Sequence, residues 1–393
     1  RAVKSSWPTN RGFSEFYGNI ACGSSYFQPY NLMHNTTPVK LLPKNFYYTE
    51  EIGVKAADYI RKMAKNGHFF LYVAFSAPHW PLQTPDGNLQ VWKQRYLGGW
   101  DAIASRRRNM AILKFLVPKK TLQPKRPANV KPWTSMTHTS WEATRMAVYA
   151  SQIDLMDQAV GKIMTALENA DVSKETVVMF LSDNGASGEQ IPQNFSAPYI
   201  ATKTPNGNPV LVGNADKNRM PGTASTFQSY GPGWAYASNA PLRGLKGSTH
   251  EGGISVPFIV SWPGRIRARS QCHEIAHAID VMPTVIELAR TAYPKMSGGF
   301  KMPPLDGRSL LPLFRGEKRA QYPYFWEFNG HAAIRDGKYK LVKSPAAGWE
   351  FFALDEDRSE TYNLINEKRF KATARGYYNQ LREWCKEVGA QVP

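Results

Sequence analysis

Apolar positions return at helical spacing from Tyr48 onward. Ile52, Ala56, Tyr59, Ile60 and Met63 alternate with Lys55, Asp58, Arg61 and Lys62, which predicts an amphipathic helix ended by Gly67. A longer stripe, Met146, Tyr149, Ile153, Met156, Val160, Ile163 and Leu167, predicts a second helix over 141–167. Three other runs, 69–75, 177–181 and 255–261, are apolar on both faces, and the first and last are bounded by Gly and Pro. That profile predicts strands buried between helical layers, and parallel strands with helical crossovers account for all three.

The flanking regions read differently. Gly, Pro, Asn and Ser dominate the first forty-odd residues, which predicts irregular structure with turns near 8–12 and 26–29. The stretch 187–236 lacks periodicity but interleaves Tyr230, Trp234 and Tyr236, and so reads as an ordered, site-forming loop. After Pro312, the segments 324–328, 332–343 and 349–354 read as antiparallel strands with turns at Asn329-Gly330 and Asp336-Gly337, followed by a helix over 368–388. The expected architecture is α/β: a mostly parallel central sheet flanked by helices over residues 1–315, then a small α+β subdomain with an antiparallel sheet over 316–393.

Composition narrows the class. Of the 393 residues 42% are hydrophobic and 12% aromatic, too many for disorder. The longest apolar run, Phe69 to Phe75, falls far short of the roughly 20 residues that span a bilayer, so no membrane span is expected. Cys22, Cys272 and Cys385 lie far apart without C-x-x-C spacing, which excludes a thiolate zinc site and leaves room for one disulfide at most. The formal charge of +18 would gather polyanions. Nucleic acid and sulfated polysaccharide are both candidates, but Arg106–Arg108 and the lysines between Lys114 and Lys131 come with no recognition helix, zinc finger or RNP-like strand, which argues against nucleic acid, and a basic solvated surface with no partner is the plain reading of any single cluster. The chain begins at Arg1 with neither signal peptide nor tag, and reads as cut from something longer.

Three constellations could carry chemistry. Ser182-Asp183-Asn184-Gly185 stands at the carboxyl end of a predicted strand, where open α/β sheets bind ligands; Asp183 and Asn184 offer hard oxygens suited to Ca²⁺ or Mg²⁺, although Asn-Gly is also a common turn. His79 lies between Pro78 and Pro81 just past another, positioned as a proton donor or as a structural imidazole. The glycine-rich stretch 241–253 holds Arg243, Lys246 and His250, which could line an anion pocket or a basic surface loop. No Walker loop, dinucleotide fingerprint, H-E-x-x-H or G-x-S-x-G motif occurs.

Taken in order, these segments resemble the type I, formylglycine-dependent sulfatases of the alkaline-phosphatase superfamily, especially bacterial arylsulfatases. The resemblance runs through 11–18, 77–82, Gly99-Trp100-Asp101, Met156-Asp157, 181–185, Lys246 with 250–253, 280–284, 305–310 and 335–341. It ends in a tail over 349–364 that carries Asp355, Asp357, Arg358, Glu360 and Asn363. It implies an alkaline-phosphatase-like fold and a sulfuric ester hydrolase acting on a sulfated small molecule or polysaccharide. Asp183 and Asn184 would ligate Ca²⁺ rather than Mg²⁺, His79 and Lys246 would be catalytic and contact the sulfate, and His250 would bind substrate. The location implied is periplasmic or secreted.

The family's nucleophile, a formylglycine made within Cys/Ser-x-Pro/Ala-x-Arg, has no counterpart around Cys22, Cys272 or Cys385. No adjacent Asp-Asp pair and no Gly-Lys-Trp-His segment is present either. Loss of an N-terminal portion explains all three departures and implies a chain that is catalytically inactive as it stands, with an unpaired sheet edge. Phosphate or phosphonate monoester hydrolysis on the same scaffold, and a non-catalytic module that binds sulfated glycans, are the alternatives.

Overall fold

Residues 4–20, 23–85 and 89–391 are described by a computed structural model. They divide into two compact units that interleave along the sequence: 1–107 with 126–173 and 187–238, and 108–125 with 174–186 and 239–393. This division does not follow a boundary at residue 315, which falls inside the second unit.

The first unit is built on two helices. Tyr48–Met63 buries Ile52, Ala56, Ala57 and Ile60, a short 3₁₀ turn continues to Asn66, and Gly67 at φ +98° turns the chain away, as the periodicity predicts. This helix packs on Thr139–Asn169. At Gly53 the approach is so close that a Cβ would lie 2.7 Å from the Ala159 Cβ, so the position tolerates no side chain. The first half of the long helix is buried nearly all round, and its Arg145 pairs with Glu142 at 2.9 Å while donating to the Ser229 carbonyl at 2.7 Å. Trp100, Trp133 and Trp234 meet edge to face at centroid distances of 4.8–5.6 Å.

Two expectations fail in this unit. The first forty residues hold a three-stranded antiparallel sheet, Tyr17–Asn19, Leu32–His34 and Thr37–Pro38, because Asn35, at φ +55°, makes a tight turn possible in a segment that reads as irregular. The run 69–75 is no buried strand. It forms no ladder among the described residues, and Phe70 and Tyr72 are 58% and 72% exposed while Phe69, Leu71, Val73 and Phe75 are half-covered. An all-apolar run signals burial only when both faces find a partner.

In the second unit Val178–Leu181 and Phe258–Ser261 pair with each other antiparallel, Val178 opposite Ser261 and Leu181 opposite Phe258, rather than parallel as expected. They are half-buried; Ile259 is 61% exposed. The C-terminal region follows its sequence pattern closely: Tyr324–Phe328, His331–Asp336, Tyr339–Ser344 and Gly348–Ala353 form an antiparallel meander in chain order. Asn329 and Gly330, both at positive φ, make the first two-residue turn. Ala332, Ile334, Leu341 and Phe351 on one face pack with Ala374, Tyr377, Leu381 and Cys385 of the final helix, Lys371–Glu387. The period of two places Arg335, Lys340 and Glu350 on the opposite face with Ala333, Val342 and Phe352. Cys272 and Cys385 are free thiols, and Cys22 lies outside the described residues.

Candidate functional site

The second unit brings Asp183, Asn184, Lys246 and His250 onto two adjoining loops. The first leaves the strand Val178–Leu181 through Ser182. Asp183 is exposed, the Asn184 amide donates to the Asp183 carboxylate, and the Asn184 Oδ1 is buried with no hydrogen-bond partner. The Gly185 N–H then donates to the Gly253 carbonyl at 2.9 Å, and a Cβ on Gly185 would sit 1.7 Å from the Gly252 oxygen. Only glycine permits that approach.

The second loop runs from Arg243 to Gly253. Lys246 sits between Gly244 at φ +92° and Gly247 at φ +91°, and its N–H donates to the Ala186 carbonyl at 2.9 Å. Its ammonium is exposed and, among the described residues, has neither an ion pair nor a hydrogen bond. His250 is buried with both ring nitrogens engaged: Nδ1 lies 3.0 Å from the Ser248 hydroxyl and Nε2 3.0 Å from the Glu350 carboxylate. Arg243 grips the same carboxylate with two hydrogen bonds of 2.9 and 3.0 Å. Burial alone would raise the Glu350 carboxyl, but hydrogen bonds from His250 and Arg243 hold it below the usual range.

Behind this loop lies a buried charge cluster that sequence reasoning missed. Glu251 contacts Lys340 at 2.8 Å, Arg335 at 3.4 Å and Arg358, and Lys340 also reaches Glu360 at 2.9 Å. The Glu251 N–H donates to the Glu360 carboxylate at 2.7 Å. Burial lowers Lys340 to about 8 against the attraction of Glu360. The signal was available in the alternation, since Lys340 shares a strand face with Val342.

His79 lies in the first unit. Its exposed ring donates from Nδ1 to the Trp80 carbonyl at 2.8 Å and stands 4.5 Å from the Trp80 ring; Trp80 in turn donates to Glu189 at 2.6 Å. Among the described residues no group of three or more His, Cys, Asp or Glu stands close enough to hold a metal, and no helix is long and apolar enough to cross a membrane. Chemically, the two loops of the second unit offer hard oxygens and one unpaired cation, an arrangement suited to a metal ion and an oxyanion.

The Sulfatase family profile matches residues 2–291, and that of the N-sulphoglucosamine sulphohydrolase C-terminal region matches 246–387. An uncharacterized sulfatase of Schizosaccharomyces pombe is 31% identical over 91% of this chain and 68% of its own length. An arylsulfatase of Klebsiella aerogenes is 28% identical over 81% of this chain and 69% of its own. Among solved structures, Ps i-CgsB, solved also in complex with k-i-k-neocarrahexaose, superposes with a TM-score of 0.65 at 23% identity, covering all of this chain and 70% of that one.

Proposed function

Because this chain belongs to the sulfatase family, with its alkaline-phosphatase-like α/β fold, we propose that it carries the charge-handling residues of a sulfuric ester hydrolase that acts on aryl sulfates or sulfated saccharides. The observation that carries this reading is the buried, unpartnered Oδ1 of Asn184 beside the Asp183 carboxylate. A buried acceptor left unpaired costs free energy, about 1–3 kcal/mol, which a cation would recover. These two residues fit Ca²⁺ as two of its six to eight oxygen ligands. When bound, the ion would supply positive charge against the sulfate oxygens.

The chain's own residues supply the rest of the proposal. Lys246, unpaired on a loop fixed by two left-handed glycines, neutralises a sulfate oxygen as its charge grows. His79, exposed and held by its own backbone neighbour, gives a proton to the departing oxygen. His250, which the resemblance gives as substrate-binding, is buried with both nitrogens already bonded, and its proposed role is instead to support the Lys246 loop. No residue here is assigned as the nucleophile, and we propose that these 393 residues alone do not turn over aryl sulfates. A periplasmic or secreted location belongs to the same proposal.

Calorimetric titration with Ca²⁺ is the direct test. Binding that is lost in Asp183→Asn and Asn184→Ala supports the reading, and binding indifferent to both removes it. In the protein as its gene encodes it, para-nitrophenyl sulfate should be hydrolysed in preference to the phosphate ester. The reverse preference would favour phosphoryl chemistry, and retention on a sulfated polysaccharide without hydrolysis would favour a binding module.

A further inference from the structure

Asn239, the last residue of the helix Gly231–Asn239, takes no part in the reading above, yet its carboxamide touches both loops. Its Oδ1 accepts the Ala186 N–H at 2.9 Å, two residues beyond Asn184. Its Nδ2 donates to the Gly244 carbonyl at 2.8 Å and to the Gly252 carbonyl at 2.6 Å, one on each side of Lys246. Both amide hydrogens and the carbonyl oxygen are thus used, each on a main-chain group.

The Ala186 peptide is bracketed. Its N–H goes to Asn239 and its carbonyl receives the Lys246 N–H. The Gly252 carbonyl that Asn239 holds is the atom against which Gly185 packs without a side chain. Nothing else among the described contacts reaches the segment after Asn184 and both ends of the Lys246 turn with one rigid group.

We propose that Asn239 is a positioning residue of this site: its carboxamide sets the spacing between the Asp183–Asn184 oxygens and Lys246, and so couples the cation site to the anion site. The proposal rests on the sulfatase reading of those residues. Asparagine is required because the position needs two donors and one acceptor within a planar group. Aspartate keeps the shape and the acceptor but turns a carboxylate oxygen toward two carbonyl oxygens, and the loops must part.

The test uses the protein as its gene encodes it, with Asn239→Asp and Asn239→Ala side by side so that misfolding of either does not decide the result. Amide hydrogen exchange at Ala186 and Lys246 should quicken about five- to tenfold, as loss of a hydrogen bond worth roughly 1–1.4 kcal/mol implies, while Ile334 and Leu341 in the meander stay protected. Affinity for Ca²⁺ and for inorganic sulfate should fall together. With para-nitrophenyl sulfate, kcat should fall about a hundredfold with KM changed only a few-fold, since misplacement of about 1 Å acts chiefly on the transition state. Unchanged exchange at Ala186 and Lys246, or wild-type ion affinities and kcat in both variants, overturns the positioning role. If Lys246→Ala still abolishes sulfate binding in that case, the sulfatase reading stands without it. If the wild-type protein binds neither ion, that reading fails and this proposal fails with it.

Discussion

Glu251→Gln isolates the electrostatics of the buried cluster with almost no change of shape. In the native protein two carboxylates, Glu251 and Glu360, face three cations, Lys340, Arg335 and Arg358, so positive charge is already in excess by one. Burial lowers Lys340 to about 8 and holds Arg335 and Arg358 below their usual values, while the attraction of Glu360 opposes the shift in all three. Removing the Glu251 charge doubles the excess and leaves Glu360 alone to balance three cations. Each close pair near 4 Å is worth about 4 kcal/mol before desolvation at an intermediate dielectric. Sparing the glutamate its own desolvation returns most of this sum. Breaking a buried pair from one side costs about 3–5 kcal/mol net, and because glutamine still accepts hydrogen bonds the lower end applies, about 3 kcal/mol. Urea unfolding at pH 7, followed by circular dichroism, should show the midpoint falling at unchanged slope. Adding Lys340→Met to Glu251→Gln should recover part of the loss, giving a favourable coupling energy. A single variant within about 1 kcal/mol of wild type, or a double variant no better than the sum of the singles, refutes the reasoning, since this is the range of exposed pairs.

Three further outcomes follow from other features. With a folded pKa near 8 against about 10.4 unfolded, Lys340 has given up its proton over a range where the unfolded chain still holds it, so its contribution makes stability rise from about pH 8 to 10.5 and is flat below; urea midpoints across this range should lose that slope in Lys340→Met, and an identical slope in both proteins contradicts it. Gly185→Ala forces a methyl group into the Gly252 oxygen and should abolish Ca²⁺ binding while the circular dichroism of the fold persists; retained affinity in calorimetry shows that the loops can part freely. A charge on the exposed face of the unpaired 69–75 segment, Tyr72→Lys, should reduce concentration-dependent association seen by light scattering without lowering the unfolding midpoint, and undiminished association places the sticky surface elsewhere.

What could be read from the residues was local. The helices at 48–63 and 139–169 follow from a stripe of apolar positions, and the C-terminal meander from alternation with turn residues between strands, Asn329-Gly330 as expected and Gly337-Lys338 one residue beyond the expected Asp336-Gly337. The candidates Asp183, Asn184 and Lys246 stand out in the sequence because glycine and polar groups cluster at the ends of apolar runs, and the structure places them on two adjoining loops. Partnership was not visible. Nothing within 177–181 or 255–261 encodes that the two strands run antiparallel to each other, and nothing within 69–75 shows that one of its faces stays bare. Asn239 looks like any helix-terminal asparagine, because its importance lies in three bonds to backbone at 186, 244 and 252. Lys340 reads as a solvated strand lysine until Glu251 and Glu360 are placed against it.

The contact of Gly185 with Gly252 leaves bare main chain on both sides of the joint between the two loops. A layer of side chains would act as a cushion, absorbing small errors by rotamer changes. Here there is none, so the joint is stiff up to the point at which it fails. Warming should therefore leave the geometry of the joint almost unchanged and then end it abruptly.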